Sequence, residues 1–145
     1  MIAVDTNILV YCHRSDSEFH IQAEACLTEL AESGVPWAIP YPCIHEFLAI
    51  ATNPGIYRPP TPLDDAILQV ECWLESPTLH LLAESGDYWA CLRKAARAGK
   101  VSGGMIHDAR IAALCCHHGV QELWTADRDF LRFPGIKVVN PLHSR

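Results

Sequence analysis

The sequence predicts an α/β fold, a parallel sheet wrapped by helices. Three observations carry that expectation. Short apolar runs alternate with longer helical patterns from one end of the chain to the other, which is the pattern of repeated strand–helix–strand units. Glycine and proline punctuate the alternation at the positions where such units turn. The 145 residues are half apolar and 19% charged, enough for one domain with a real core and too apolar for a disordered chain.

The elements follow in order. Ile2 to Val4 is a first strand, and Thr6-Asn7 can cap a helix through Ile8, Leu9, Val10 and Tyr11. After the break at Arg14-Ser15-Asp16-Ser17, a second helix runs from about His20 to Ser33 and stops at Gly34. Val35 to Ile39 is the second strand. Pro40 and Pro42 then bracket the turn into a helix bearing Ile44, Phe47, Leu48 and Ala51. The proline-rich stretch from Thr52 to Pro62 is a loop, because its flanks are too short to fold alone. A helix from Leu63 to Leu74, a strand at Thr78 to Leu82 and a helix over Ser85 to Ala98 come next. Gly103-Gly104 separates that helix from one at Met105 to His118, and Glu122 to Thr125 and Ile136 to Val139 complete the strands.

Several function classes drop out early. No apolar stretch approaches the ~20 residues that span a bilayer, and Met1 to Val4 is too short for a signal peptide, so the expected compartment is cytoplasmic. Seven cysteines form an odd set without CxxC spacing, which reads as reduced core residues. The run Cys115-Cys116-His117-His118 cannot close one metal tetrahedron, since helical neighbours point ~100° apart. A net charge of −6 argues against a general nucleic-acid binder. It does not exclude a nuclease, because cations held by carboxylates add positive charge that a residue count omits.

The acids carry the functional signal. Asp5 ends the first strand, and Asp127 follows Leu123-Trp124-Thr125 with one residue between. If those strands are neighbours in a parallel sheet, both acids emerge at the carboxyl edge where ligands bind. Glu46 and Asp108 interrupt two apolar helix starts. Singly, each has a structural explanation as a cap, a turn former or a first-turn acid. Jointly, all four would face one crevice, where like charges at ~4 Å repel by ~4 kcal/mol per pair at an effective dielectric of ~20. Such a cluster persists around cations or with raised pKa values, and an oxygen-only donor set suits Mg²⁺ or Mn²⁺. Phosphodiester hydrolysis is the natural chemistry of that arrangement.

The same residues carry a family resemblance. Val4-Asp5-Thr6-Asn7-Ile8-Leu9-Val10-Tyr11, His45-Glu46-Phe47-Leu48, Thr52-Asn53-Pro54, His107-Asp108-Ala109-Arg110-Ile111-Ala112-Ala113-Leu114, Leu123-Trp124-Thr125-Ala126-Asp127-Arg128-Asp129-Phe130 and Val139-Asn140-Pro141-Leu142 resemble, in order, the motifs of PIN-domain proteins. Within that family the chain is similar to the VapC-type toxin ribonucleases of type II toxin-antitoxin pairs. The resemblance implies a Rossmann-like three-layer α/β/α sandwich with a parallel sheet of about five strands, and a single PIN domain over residues 1–145. It implies an endoribonuclease dependent on Mg²⁺ or Mn²⁺, with Asp5, Glu46, Asp108 and Asp127 as catalytic acids. Asp5 and Asp108 would hold the principal metal, completed by Glu46 and Asp127, with Asp129 as an alternative to Asp127. RNA as substrate, inhibition by a cognate VapB-type antitoxin and assembly as a homodimer are also implied.

Around the acids, Thr6, Asn7 and Thr125 are placed to orient carboxylates or waters, or to serve as caps and turn residues. Arg93, Lys94, Arg97 and Lys100 form the one concentrated basic group, with positions 93, 97 and 100 expected on one helical face. That group, with Arg14 and Arg110 nearer the motifs, is the candidate RNA-phosphate contact. Trp37, Trp73, Trp89 and Trp124 fall in apolar runs and read as core. His107 reads as structural or surface. The competing class is a non-catalytic PIN module that binds RNA or antitoxin, which retention of all four acids disfavours. A haloacid-type phosphatase would need a second Asp where this chain has Asn7.

Overall fold

The structure is a computed structural model and describes residues 1–143. Five strands, β1 (Ile2–Val4), β2 (Trp37–Pro40), β3 (Leu79–Leu82), β4 (Glu122–Trp124) and β5 (Lys137–Val139), form one parallel sheet in the order β3-β2-β1-β4-β5. Six helices connect them: α1 (Thr6–His13), α2 (His20–Glu32), α3 (Tyr41–Ala51), α4 (Leu63–Leu74), α5 (Tyr88–Gly99) and α6 (Ile106–His117). Short 3-10 turns at Gly103–Met105 and Arg128–Arg132 complete the chain. Among the described residues no helix is long and apolar enough to cross a membrane.

Strand order decides the layers. The chain steps from β1 through β2 to β3 in one direction and then returns past β1 to β4 and β5. Right-handed crossovers therefore put α1 to α4 on one face and α5 with α6 on the other. The packing agrees: α1 meets α2 and α3, α3 meets α4, and α5 lies along α6. This is the three-layer sandwich expected from the sequence.

The core reads directly from the apolar pattern. Ala3, Val4, Trp37, Ala38, Ile39 and Leu123 are buried in the sheet, with Ile8, Leu9 and Phe47 above it. On the opposite side α6 contributes Ala109, Ala112, Ala113, Leu114 and Cys115, all buried. Small side chains there let the helix axis come close to the sheet.

Several sequence expectations need adjustment. Thr6 and Asn7 do not cap α1; they lie inside it, and Asp5 is the cap, its side chain accepting from the Thr6 amide at 2.8 Å. Val35 stays outside β2 and is 52% exposed, because the ladder begins where Trp37 meets Ile2. Trp37 and Trp73 are core and Trp124 is half-buried, but Trp89 is 65% exposed. Ala90 beside it is exposed as well, while Tyr88, Cys91 and Leu92 of the same helix are half-buried. Of the free cysteines, Cys72 and Cys116 are exposed rather than core. The 3-10 turn at Arg128–Arg132 has no counterpart among the elements expected from the sequence.

Candidate active site

The reversal of strand order between β1 and β4 opens a crevice at their carboxyl ends, the place where open α/β sheets bind ligands. Val4 pairs with Trp124, and the Asp5 amide donates to the Trp124 carbonyl at 2.9 Å. That bond holds the two strand ends level, so Asp5 and the Thr125–Asp127 segment leave the sheet side by side.

Asp5 is 4% exposed, and its carboxylate is fully engaged. One oxygen accepts from the Thr6 amide at 2.8 Å and the Cys43 thiol at 3.5 Å. The other accepts from the Thr125 hydroxyl at 2.7 Å and the Asn7 amide at 3.3 Å. Burial pushes its pKa up from 3.8 to about 6; the Thr125 and Thr6 hydrogen bonds oppose the shift, and Glu46 adds to it. The Thr6 hydroxyl donates to Glu46 at 2.8 Å, which ties α3 to the start of α1. Glu46 is the sixth residue of α3, beyond the first turn, so the helix dipole does not account for it.

The third side comes from α6 and the segment after β4. Asp108 lies in the first turn of α6 and is half-buried. Desolvation raises its pKa first, then the charges of Asp127, Asp129 and Glu46, against a lowering by Arg132. Carboxylate oxygens of Asp108, Asp127 and Asp129 lie within 4.8 Å of one another. The Asp127 amide donates to the Thr125 hydroxyl at 3.0 Å, and its carboxylate accepts from the Asp129 amide at 2.9 Å. The Asn7 side-chain oxygen accepts from the Ala126 amide at 3.1 Å. Thr6, Asn7 and Thr125 thus brace the acids, and this role coexists with their turn and helix positions.

Asp5, Glu46, Asp108 and Asp127 all line one cleft of about 340 Å³. Among the described residues none of these four is in a salt bridge. Clustered carboxylates outside any salt bridge among the described residues, three of whose oxygens converge, are a donor set that fits a hard divalent cation such as Mg²⁺ or Mn²⁺. Asp129 offers an oxygen to the same group as Asp108 and Asp127.

The basic candidates separate. Arg110 lines a second groove, with Glu46, Asp108, His45 and His107, and its guanidinium pairs with Glu84 at 2.7 Å. His107 is an exposed wall of that groove. Arg14 is committed elsewhere: it pairs with Asp16 at 2.6 Å, donates to Thr61 and to the Pro59 carbonyl, and lies 4.3 Å from the Tyr57 ring centroid. Arg93, Arg97 and Lys100 line neither acidic groove. Lys100 is not on their helical face; it is the C-cap of α5, in left-handed conformation with φ 51°. The expected shared basic face therefore reduces to Arg93 and Arg97.

Residues absent from the sequence expectations also meet here. Arg132 lowers the Asp108 pKa and donates to the Gly99 carbonyl at 3.3 Å; it comes from the 3-10 turn after Asp127, and no local pattern marks it. Tyr11, Ile50, Ile56 and Tyr57 form an apolar wall of the acid cleft. An isoleucine and a tyrosine inside a proline-rich loop, where no core segment claims them, are the available signal.

Comparison with known proteins places this geometry. Residues 2–136 match the family described as PIN domain. The VapC ribonuclease Mb2897 of Mycobacterium bovis is 32% identical over 145 residues, covering 100% of this chain and 98% of that protein. Ribonuclease VapC48 of Mycobacterium tuberculosis is 29% identical over 138 residues, 94% of each chain. Among solved structures, VapBC2 from Rickettsia felis bound to a promoter DNA fragment superposes with a TM-score of 0.67 at 20% identity, over 96% of this chain and 98% of that one. Mycobacterium tuberculosis VapC20, described as a Sarcin-Ricin loop cleaving toxin, gives 0.67 at 16% identity, over 95% and 98%. With the family matched over nearly its whole length and a curated relative aligned from end to end, this chain belongs to the PIN-domain family, alongside the VapC ribonucleases.

Proposed function

We propose that this protein is a metal-dependent endoribonuclease, the toxin of a type II toxin-antitoxin pair, and that Asp5, Glu46, Asp108 and Asp127 are its catalytic acids. One observation carries the reading: acids from four separated segments line a single cleft, none of them in a salt bridge among the described residues, in a chain that aligns end to end with a protein named a ribonuclease. One PIN domain accounts for residues 1–145.

The residues divide the work. Asp108, Asp127 and Asp129 present converging oxygens, and together with Asp5 and Glu46 they would hold Mg²⁺ or Mn²⁺. Such an ion, when bound, lowers the pKa of a coordinated water and stabilises the leaving oxygen of the phosphodiester. Thr125 and the Thr6 amide orient the Asp5 carboxylate and favour its charged form. Thr6 fixes Glu46 by its hydroxyl. Arg110 and the exposed Arg93 and Arg97 offer phosphate contacts outside the cleft.

Regulation follows from the same kinship. The neighbouring structures from Rickettsia felis and from Salmonella typhimurium are VapBC complexes, which supports a VapB-type antitoxin as partner here. Leu63, Ile67 and Leu74 of α4 are exposed and share one helical face, a surface suited to an antitoxin helix or to homodimer formation.

Purified protein is to be incubated with tRNA, rRNA, mRNA and single-stranded oligoribonucleotides in Mg²⁺, Mn²⁺ or EDTA. Cleavage within the strand that requires metal and disappears in Asp5→Asn, with the circular dichroism unchanged, supports the reading. Cleavage that survives both EDTA and Asp5→Asn refutes it.

A further inference from the structure

We propose that the apolar wall of the acid cleft is a nucleobase subsite, in which a base of single-stranded RNA stacks on Tyr57 while its phosphate faces the carboxylates. The identity of the polymer rests on the ribonuclease reading above. The subsite itself rests on the side chains.

The cleft is lined in two unlike ways. Asp5, Glu46, Asp108 and Asp127 form the acidic part of its lining, and Tyr11, Ile50, Ile56 and Tyr57 belong to the apolar part. Ile56 is 54% exposed, which leaves a large apolar side chain in water beside a cluster of charges. Burial of a flat apolar ligand would relieve that exposure. Among the described residues that line this cleft there is no Lys or Arg, so a polyanion entering it finds no phosphate-pairing side chain there. Base stacking on aromatic side chains is the sequence-tolerant alternative by which proteins hold single strands, and unpaired RNA bases are recognised in this way.

Tyr57 is fixed before any ligand arrives. Asn53 organises its loop: its side chain accepts from the Gly55 amide at 2.8 Å, and its carbonyl accepts from the Ile56 and Tyr57 amides at 3.0 Å each. The Thr61 amide closes the loop onto the Ala51 carbonyl at 2.8 Å. Arg14 then lies over the Tyr57 ring, while its other donors grip Pro59, Thr61 and Asp16. Arg14 does not line the cleft and Tyr57 does. The guanidinium thus covers one side of a half-buried ring that packs partly against the core and keeps part of its surface in the cleft lining. A ring already ordered loses little side-chain freedom on binding.

The test pairs a protein change with a substrate change. Wild type, Tyr57→Phe, Tyr57→Ala and Ile56→Ala are assayed on a single-stranded oligoribonucleotide and on the same strand lacking one base beside the cleaved bond. Binding is followed separately in Ca²⁺ by quenching of a fluorescent adenine analogue at that position. Tyr57→Phe should behave like wild type. Tyr57→Ala should lose about 5- to 150-fold in kcat/KM and in affinity on the intact strand, the range of one base–aromatic stack, and little on the abasic strand. Ile56→Ala should show a smaller loss with the same dependence on the base. Equal losses on intact and abasic strands, or an unimpaired Tyr57→Ala, would overturn the subsite while cleavage by wild type upheld the nuclease. Tyr57-dependent quenching without cleavage of any RNA would uphold the subsite and overturn the nuclease.

Discussion

Asp5→Asn should make the metal-free protein more stable near neutral pH, although it removes a residue on which the proposed activity depends. Asp5 is buried, and its pKa is raised from 3.8 to about 6, chiefly by desolvation. The folded state therefore holds the Asp5 proton more tightly than the unfolded chain does. Stability falls as pH rises from about 4 to about 6, and above that the full penalty applies. A rise from 3.8 to about 6, at ~1.36 kcal/mol per pH unit, amounts to roughly 3 kcal/mol.

Asparagine removes the charge and disturbs the hydrogen bonds. Its oxygen can still accept from the Thr6 amide, but its NH₂ would meet the Thr125 hydroxyl and the Asn7 amide, which now donate to Asp5 at 2.7 and 3.3 Å. Two lost hydrogen bonds at ~1 kcal/mol each leave a net gain of ~1 kcal/mol. For a chain of this size that raises Tm by ~2–4 °C. Thermal unfolding in EDTA near neutral pH measures it, and a repeat near pH 4 should show the gain gone. Excess Mn²⁺ should reverse the order, because only the wild type gains from binding. A variant less stable than wild type in EDTA at neutral pH, or a gain indifferent to pH, refutes the reasoning.

Metal uptake should tighten between about pH 5 and about pH 7, since Asp5 and Asp108, both raised, must release protons to bind an ion; Mn²⁺ calorimetry across that range checks it, and a flat profile counts against the site. Thr125→Val deletes the hydroxyl that donates to Asp5 and accepts from the Asp127 amide. It should shift the uptake midpoint to higher pH and cost ~1–3 kcal/mol in chemical denaturation. Gly99→Ala would place a methyl 2.5 Å from the Phe133 ring, itself 4% exposed. Overpacking of that kind costs ~1–3 kcal/mol, so an unchanged Tm would show that the ring can move aside.

Much of the fold is legible in the sequence because its signals are local. The Leu63–Leu74 helix appears with the expected bounds, since Pro62 before it and Asp64 and Asp65 in its first turn are signals that need no distant partner. Strand ends are less legible: β2 starts at Trp37 rather than Val35, because pairing with Ile2 sets the ladder. Trp89 and Lys100 mislead for a related reason. An apolar run does not say which of its members faces the neighbouring helix, and a helix that ends in a left-handed residue takes its last side chain off the shared face.

For the site, residue order alone settles the chemical types and puts each at the end of a strand or early in a helix. Alternating units place such positions on one edge of a parallel sheet, so a common crevice is foreseeable. The assembled sheet adds that β4 returns to the side of β1, levelled by the bond from Asp5 to Trp124. It adds as well that Asp129 comes within reach of Asp108 and Asp127, and that Tyr57 from a loop lines the same cleft as the acids. Periodicity records which face of an element is apolar, whereas the meeting of faces separated by tens of residues depends on strand order and crossover hand, which no local pattern encodes.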